Sequence, residues 1–265
     1  MFEKCILSSQ KLKELPLFKR NIFDQFVFVK KFIIRLFGLV VYFRFNLRYK
    51  NKIEGTSLLP YLQGKNVLFV SNHQTYFADV SYFFLAFHAA LWKRVNTILF
   101  PGFLFPRKTN IYYIAAEETM KSGFLPKVLA LSGAVTVQRS WRANGQNVRR
   151  KVSREDTENI DKALQDGWVI TFPQGTTSPY AQGRKGTAML IKKHQPVVVP
   201  IVIDGFRRAF DKKGLRTKKT KSTLKMTVKQ PLNIDYSDTV EDIMIQIMDA
   251  IEQSDKHDFM ENLKR

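Results

Sequence analysis

Cysteine is almost missing from this chain: Cys5 is the only one among 265 residues. No intramolecular disulfide can form, a multi-cysteine zinc site is excluded, and the usage fits a reducing compartment. Cys5 has no base near it in sequence and is a poor candidate nucleophile. Histidine is scarce as well, with four copies, which shortens the search for acid–base chemistry. Long apolar runs are lacking. The longest, Leu36 to Phe43, falls far short of the ~20 residues that span a bilayer. Met1 to Lys19 mixes Glu3, Lys4, Lys11, Lys13 and Glu14 with no apolar stretch or small-residue cleavage site, so no secretory signal is expected. No P-loop, G-x-G-x-x-G fingerprint, G-x-S-x-G elbow or H-E-x-x-H pair occurs. Acidic side chains are the last shortage: 23 Asp and Glu face 43 Lys and Arg, leaving +20. That surplus points to an anionic partner: nucleic acid, anionic lipid, an acidic carrier protein or a phosphorylated substrate.

What is present begins with Phe, of which there are 22 against 3 Trp. From Asn21 to Phe45 the chain reads as a helix. At ~100° per residue, Asp24, Lys31 and Arg35 share one narrow stripe, and apart from Gln25 and Lys30 most of the circumference is apolar. Flanked by Arg44, Arg48, Lys50 and Lys52, it suits the plane of a membrane surface; the alternative is a core helix whose polar stripe faces water. Residues 1–51 are therefore set apart as an N-terminal docking segment.

Beyond Lys52, short β-prone runs alternate with helices. Val67 to Ser71, Trp168 to Phe172 and Val197 to Ile203 are continuous apolar runs, as in strands covered on both faces. Ile111 to Ala115 and Gly133 to Gln138 are further strands. Asp79 to Trp92 reads as a buried helix, Glu117 to Leu131 as a helix interrupted near Pro126. Ser153 with Asp156 starts another helix in a near capping box. Leu224, Met226 and Val228 alternate with polar residues in a one-sided strand, and Thr239 caps a helix whose Val240, Ile243, Ile247 and Ile251 keep helical spacing. The expected fold class is α/β, a mostly parallel or mixed central sheet flanked by helices, over residues 52–265.

Of the histidines, His257 lies in the polar tail, His194 follows two lysines at a helix end, and His88 sits mid-helix among apolar neighbours. His73 is different. It follows the first buried strand directly, where open α/β sheets place functional groups. Asp79 comes six residues later, ~240° away on a continuous helix. The two can meet only if His73 is in the turn and Asp79 in the helix proper; otherwise the pair is structural. A second candidate is Thr171 to Gly186, a polar loop with Gly175 at a sharp turn, hydroxyls on Thr176, Thr177 and Ser178, and then Arg184 and Lys185. Arg139, closing a strand, could clamp an anion or be solvated. Pro200 stands in a mid-strand position that proline normally avoids.

In order and spacing these segments resemble the glycerolipid acyltransferase family, best known for the 1-acylglycerol-3-phosphate acyltransferases. The counterparts are Asn72-His73…Asp79, Gly133…Arg139, Phe172-Pro173-Gln174-Gly175-Thr176-Thr177-Ser178 and Val199-Pro200-Ile201, over roughly residues 52 to 235. The resemblance implies O-acyl transfer from acyl-CoA or acyl-acyl-carrier protein to a lyso-lipid hydroxyl, with no cofactor and no metal, at the cytoplasmic face of a membrane. It implies His73 as general base and Asp79 as its orienter. Asn72, Arg139, Gln174, Gly175, Thr176, Thr177, Arg184 and Lys185 would lie at the substrates, with N–H groups around Gly175 and Thr176 as oxyanion donors.

Three departures stand out. Five residues rather than four separate His73 from Asp79, Gln174 replaces a Glu, and Thr177 replaces an Arg that the family directs at the acceptor's phosphate. The acceptor is thus either 1-acylglycerol 3-phosphate or a phosphate-free lyso-lipid such as an N-acyl amino acid lipid. Arg207 to Lys221, with eight basic residues and one Asp, is expected to face headgroups or the acidic donor. Nucleic-acid binding rests on charge alone, with no recognition motif behind it. A catalytically dead membrane-binding relative is the other rival.

Overall fold

The protein is described from a computed structural model, which covers residues 20–258 apart from 63, 65, 106, 108, 139–141, 144–145 and 148–152. Cys5 and Arg139 lie outside the described residues. In chain order the elements are α1 (Val27–Arg48), β1 (Lys50–Glu54), β2 (Val67–Ser71), α2 (Ala78–Leu91), β3 (Asn110–Ala116), α3 (Glu117–Lys121), α4 (Phe124–Ala130) and β4 (Ala134–Val137). A two-residue ribbon, β5 (Arg142–Ala143) with β6 (Gln146–Asn147), follows. Then come α5 (Arg154–Asp166), β7 (Gly167–Thr171), α6 (Lys185–His194), β8 (Val197–Asp204), α7 (Phe206–Ala209), β9 (Thr223–Val228) and α8 (Val240–Ala250).

Seven strands form one sheet in the order β1-β9-β8-β2-β7-β3-β4. β8, β2, β7, β3 and β4 run parallel, while β9 is antiparallel to β8 and β1 parallel to β9. The sheet is therefore mixed, with its reversed pair at one edge. Its central strands read as unbroken apolar runs because both faces are covered. Phe69, Trp168, Ile170, Val199 and Ile201 point to a core shared with α1 and α2, and Leu68, Val70, Val169 and Val198 to a second core under α5, α6 and α8. Pro200 is tolerated for a local reason. Its carbonyl accepts from Lys229 N at 2.9 Å on the β9 side, so its missing N–H falls on that side too, where β9 has just ended, and no bond to β2 is lost.

Helix starts follow the sequence unevenly. Thr239 caps α8 by accepting from Asp242 N at 3.1 Å. Ser153 occupies the N-cap position of α5 without a side-chain capping bond, and the Asp156 carboxylate instead accepts from Gln138 N at the end of β4. The expected helix over Glu117 to Leu131 is two short ones; the break falls at Ser122-Gly123, ahead of Pro126.

α1 inverts the usual burial pattern. Lys30 is buried, whereas Phe28, Phe32, Leu36, Val40, Phe43 and Leu47 are exposed at spacings of three or four, forming one apolar stripe toward solvent. Its inner side still belongs to the main body, since Phe45 is buried against Tyr82, Phe206 and Phe210. The boundary between residues 51 and 52 accordingly falls inside β1. Among the described residues the Lys30 ammonium has no hydrogen-bond partner, and it lies 4.1 Å from the centre of the Tyr112 ring. Burial lowers its pKa from 10.5 to about 8, with the Asp166 carboxylate opposing the shift. Among the described residues no helix is long and apolar enough to cross a membrane.

Candidate active site

β2 lies between β7 and β8, and all three present their C-terminal ends to the same edge. The chain leaves β2 for α2 on one face and leaves β7 for α6 on the other, which opens a crevice at the strand ends. The His73 turn, the loop after Phe172 and the turn at Gly205 all meet there.

His73 is in the turn and Asp79 in the first turn of α2, the arrangement their spacing demanded. Nδ1 of His73 lies 2.9 Å from Oδ2 of Asp79. A carboxylate only accepts, so in the neutral imidazole Nδ1 carries the proton and Nε2 the free lone pair. The Asp79 side chain is 0% exposed and that of His73 12%. Oδ2 of Asp79 also accepts from the backbone N–H groups of Gln74 at 2.6 Å and Thr75 at 2.9 Å, and Oδ1 accepts from Thr75 Oγ1 at 2.6 Å. These bonds, together with the helix N-terminus, compensate a fully buried charge. The fifth residue between His73 and Asp79 is absorbed in this turn. The other face of the imidazole stacks on Phe172, with centroids 3.8 Å apart and planes inclined by 22°.

A second layer ties the turn to β8. Asn72 exchanges hydrogen bonds with the backbone of Ile203, donating at 2.9 Å and accepting at 2.8 Å. Gln74 donates to the same carbonyl at 2.9 Å and accepts from Phe206 N at 2.9 Å and Arg207 N at 3.2 Å. Asn72 is thus a brace beneath the base. Gln74 and Thr75 were overlooked in the sequence, although they lie inside the His–Asp block. Arg207 was overlooked too, hidden in a basic run; the signal was a cation three residues after a buried strand parallel to β2.

The loop from Pro173 to Arg184 needs more correction. Gly175 takes the left-handed conformation, φ 63°, that a sharp turn requires. Its N–H, however, donates to Phe172 O at 2.9 Å, so it is not an oxyanion donor. The N–H groups of Thr176 and Thr177 donate to no acceptor among the described residues. Gln174 does not face substrate: it is buried, and its Nε2 donates to Ala181 O at 3.0 Å and Gln253 Oε1 at 3.2 Å. A Glu could make neither bond, which explains the amide in place of the carboxylate. Thr177 is buried, and its carbonyl accepts from Arg207. Arg184 is the N-cap residue of α6, and its N–H closes the loop onto Pro173 O at 2.8 Å. Lys185 is taken up in an exposed pair with Glu241 of α8 and is not directed to the base.

The other histidines carry structural roles. His88 is buried with Nδ1 2.7 Å from Phe84 O, and burial lowers its pKa to about 4, keeping it neutral. His194 Nε2 lies 2.6 Å from Asp161 Oδ1 without hydrogen-bond geometry, and His257 lies near Asp249. Among the described residues no cluster of His, Cys, Asp or Glu could hold a metal ion.

The basic run from Arg207 to Lys221 divides in two. Arg207 turns inward, while the remaining seven cations are exposed. The loop is strapped to the site: Lys212 O and Lys213 O accept from Tyr76 N and Phe77 N at 3.1 and 3.0 Å. Gly214 lies so close to Ala78 N that a Cβ would sit 2.6 Å from it.

A narrow apolar groove runs from Tyr76 and Phe77 between α1 and α2, lined by Ile34, Val41 and Val80 and closed by Leu129 and Ser132. Tyr76, one of its lining residues, has its ring centroid 6.2 Å from that of His73.

Among the described residues no side-chain hydroxyl or thiol is hydrogen-bonded to His73. The acyltransferase family model matches residues 50–204, more than half of the chain, and the chain belongs to that family. It is an acyltransferase. Among solved structures, the fold is similar to that of the 1-acyl-sn-glycerophosphate (LPA) acyltransferase PlsC from Thermotoga maritima. The TM-score is 0.53 at 18% identity, covering 88% of this chain and 79% of that one. No curated protein matches the sequence.

Proposed function

We propose that the protein is a membrane-associated O-acyltransferase that moves a fatty acyl group from a thioester donor to a lyso-lipid hydroxyl, with 1-acylglycerol 3-phosphate as acceptor. The observation that carries this reading is the oriented His73–Asp79 pair, whose imidazole lies beside Tyr76 of the apolar groove. The acceptor matches the name of the structurally similar PlsC.

The acceptor hydroxyl gives its proton to His73 Nε2 as its oxygen attacks the thioester carbonyl. Asp79 holds the imidazole in the required tautomer and stabilises the imidazolium. The Thr176 and Thr177 N–H groups face the developing oxyanion, a contribution of about 3 kcal/mol per donor where preorganised. The C–S bond then breaks, and the imidazolium returns the proton to the thiolate of coenzyme A or carrier protein. Atoms balance as ester plus thiol, with no acyl-enzyme and no cofactor. The donated chain lies in the groove, where burial is worth about 0.8 kcal/mol per CH₂.

The exposed stripe of α1 with Lys31, Arg35 and Arg48 supports a peripheral position on a membrane surface. The seven exposed cations of the 208–221 loop support contact with headgroups or an acidic carrier. A phosphate-free acceptor is the second reading, favoured by Thr177 where the resembled family has Arg. The test supplies labelled acyl-CoA and acyl-carrier protein with lysophosphatidate, a monoacylglycerol and a hydroxyacylated amino acid, to wild type and His73→Ala. Ester formed only by wild type supports the reading, and its acceptor selects between the two. No ester with any pair, or full turnover by His73→Ala, refutes it.

A further inference from the structure

Arg207 carries a charge that feels Asp79 and Asp204 at a distance but forms no ion pair among the described residues. Its Nε and Nη2 donate to Thr177 O at 3.2 and 2.7 Å, and Nη2 also donates to His73 O at 3.2 Å. All these acceptors are neutral carbonyls. Among the described residues no carboxylate lies within ion-pair distance of it. Asp79 is saturated by the His73 turn, and Asp204 is paired with Arg208 at 2.8 Å. Nη1 has no acceptor among the described residues. The side chain is half-buried, and burial lowers its pKa from the ordinary arginine value. A desolvated guanidinium is strongly favoured when an oxyanion meets its open edge, since the fork matches carboxylate and phosphate geometry.

Its placement says which anion it serves. Arg207 donates to the carbonyls of His73 itself and of Thr177, so its charge lies against the turn of the candidate base, which on the proposed reading meets the acceptor's hydroxyl. The phosphates of a thioester donor are separated from the reacting carbonyl by the whole pantetheine arm. An acceptor with an oxyanion a few bonds from its hydroxyl brings that group to Arg207.

We infer that Arg207 forms an oxyanion subsite for the acceptor's headgroup, taking a phosphate or a carboxylate, and thereby supplies from the β8–α7 turn the cation that the Thr177 position lacks. The inference rests on the acyl-transfer reading for its biological meaning, but binding tests it separately. Calorimetric titration compares 1-hexanoylglycerol 3-phosphate, N-(3-hydroxyoctanoyl)glycine and uncharged 1-hexanoylglycerol on wild type, Arg207→Gln and Arg207→Lys. Wild type should bind at least one anionic probe tenfold or more tighter than the neutral one; Arg207→Gln should lose most of that gap and Arg207→Lys part of it. Whichever anion shows the gap identifies the source. No gap in wild type, or a gap that survives in Arg207→Gln, overturns the subsite, whether or not ester is ever formed. Should Arg207→Gln fail to fold, Arg207→Lys decides, since it keeps the charge and loses the fork. In turnover, a merely structural clamp lowers kcat/KM equally for charged and neutral acceptors, whereas the subsite lowers their ratio tenfold.

Discussion

Lys30→Met should make the protein more stable at neutral pH, although it removes a native side chain. Lys30 places an ammonium where no hydrogen-bond acceptor reaches it among the described residues, facing the Tyr112 ring. A fall in pKa from 10.5 to about 8 corresponds to about 3 kcal/mol, at about 1.4 kcal/mol for each pKa unit. Methionine keeps the unbranched stem and the volume while removing the charge. The lost cation–π contact offsets about 1–2 kcal/mol, leaving a net gain of about 1–2 kcal/mol at pH 7. The folded chain holds this proton less tightly than the unfolded chain, so the penalty is complete below pH 8 and disappears as pH climbs toward 10.5. Urea unfolding of both proteins at pH 7 and pH 10, followed by tryptophan fluorescence, isolates the effect, because every other titrating group is common to the pair. The stability gap should shrink by at least half between the two pH values. A variant less stable than wild type at pH 7, or a gap equal at both, refutes the reasoning.

Asp79→Asn should lower kcat about 10²–10⁴-fold by spoiling the imidazole tautomer, and thermal melts should show loss of stability, because an amide N–H₂ meets the donors of Gln74 and Thr75. Gln174→Glu, which restores the residue of the resembled family, should destabilise by about 2–4 kcal/mol because a buried carboxylate would face Ala181 O and Gln253 Oε1; a melting temperature within 1–2 °C of wild type would contradict the assigned bonds. Phe32→Glu with Phe43→Glu, on side chains 61% and 54% exposed, should leave the melt nearly unchanged and weaken flotation with anionic vesicles about tenfold or more. Equal flotation would remove α1 from the docking surface.

Much of the sheet was legible because its central strands are buried on both faces, which writes continuous apolar runs into the sequence. β1 was not. Lys50–Glu54 is an edge strand with one buried residue, Ile53, so no pattern announces it. The candidate base was readable for a topological reason: His73 follows a buried strand immediately, and its partner had to be the next acid in the helix. The supporting bonds were not readable. Gln74, Thr75 and Arg207 make their contacts through backbone groups of distant segments, and no side-chain pattern encodes a partner that is a main-chain carbonyl. The same blindness misassigned Gly175, whose N–H is spent within its own turn, and Gln174, whose amide is directed inward. Lys30 resisted for the opposite reason, since a lysine on a greasy helix suggests the solvent side.

α1 finally acts as a partition. Its outer side carries the bare phenylalanines and its inner side walls the groove that Tyr76 and Phe77 also line. A helix with its side chains is only about 10–12 Å thick. On the proposed reading, an acyl tail passing from bilayer to catalytic base crosses that one wall and never meets bulk water. The concentration that governs turnover is then the number of lipids per unit of surface. Diluting the acceptor with inert lipid at constant total acceptor should slow the enzyme, while adding water should not.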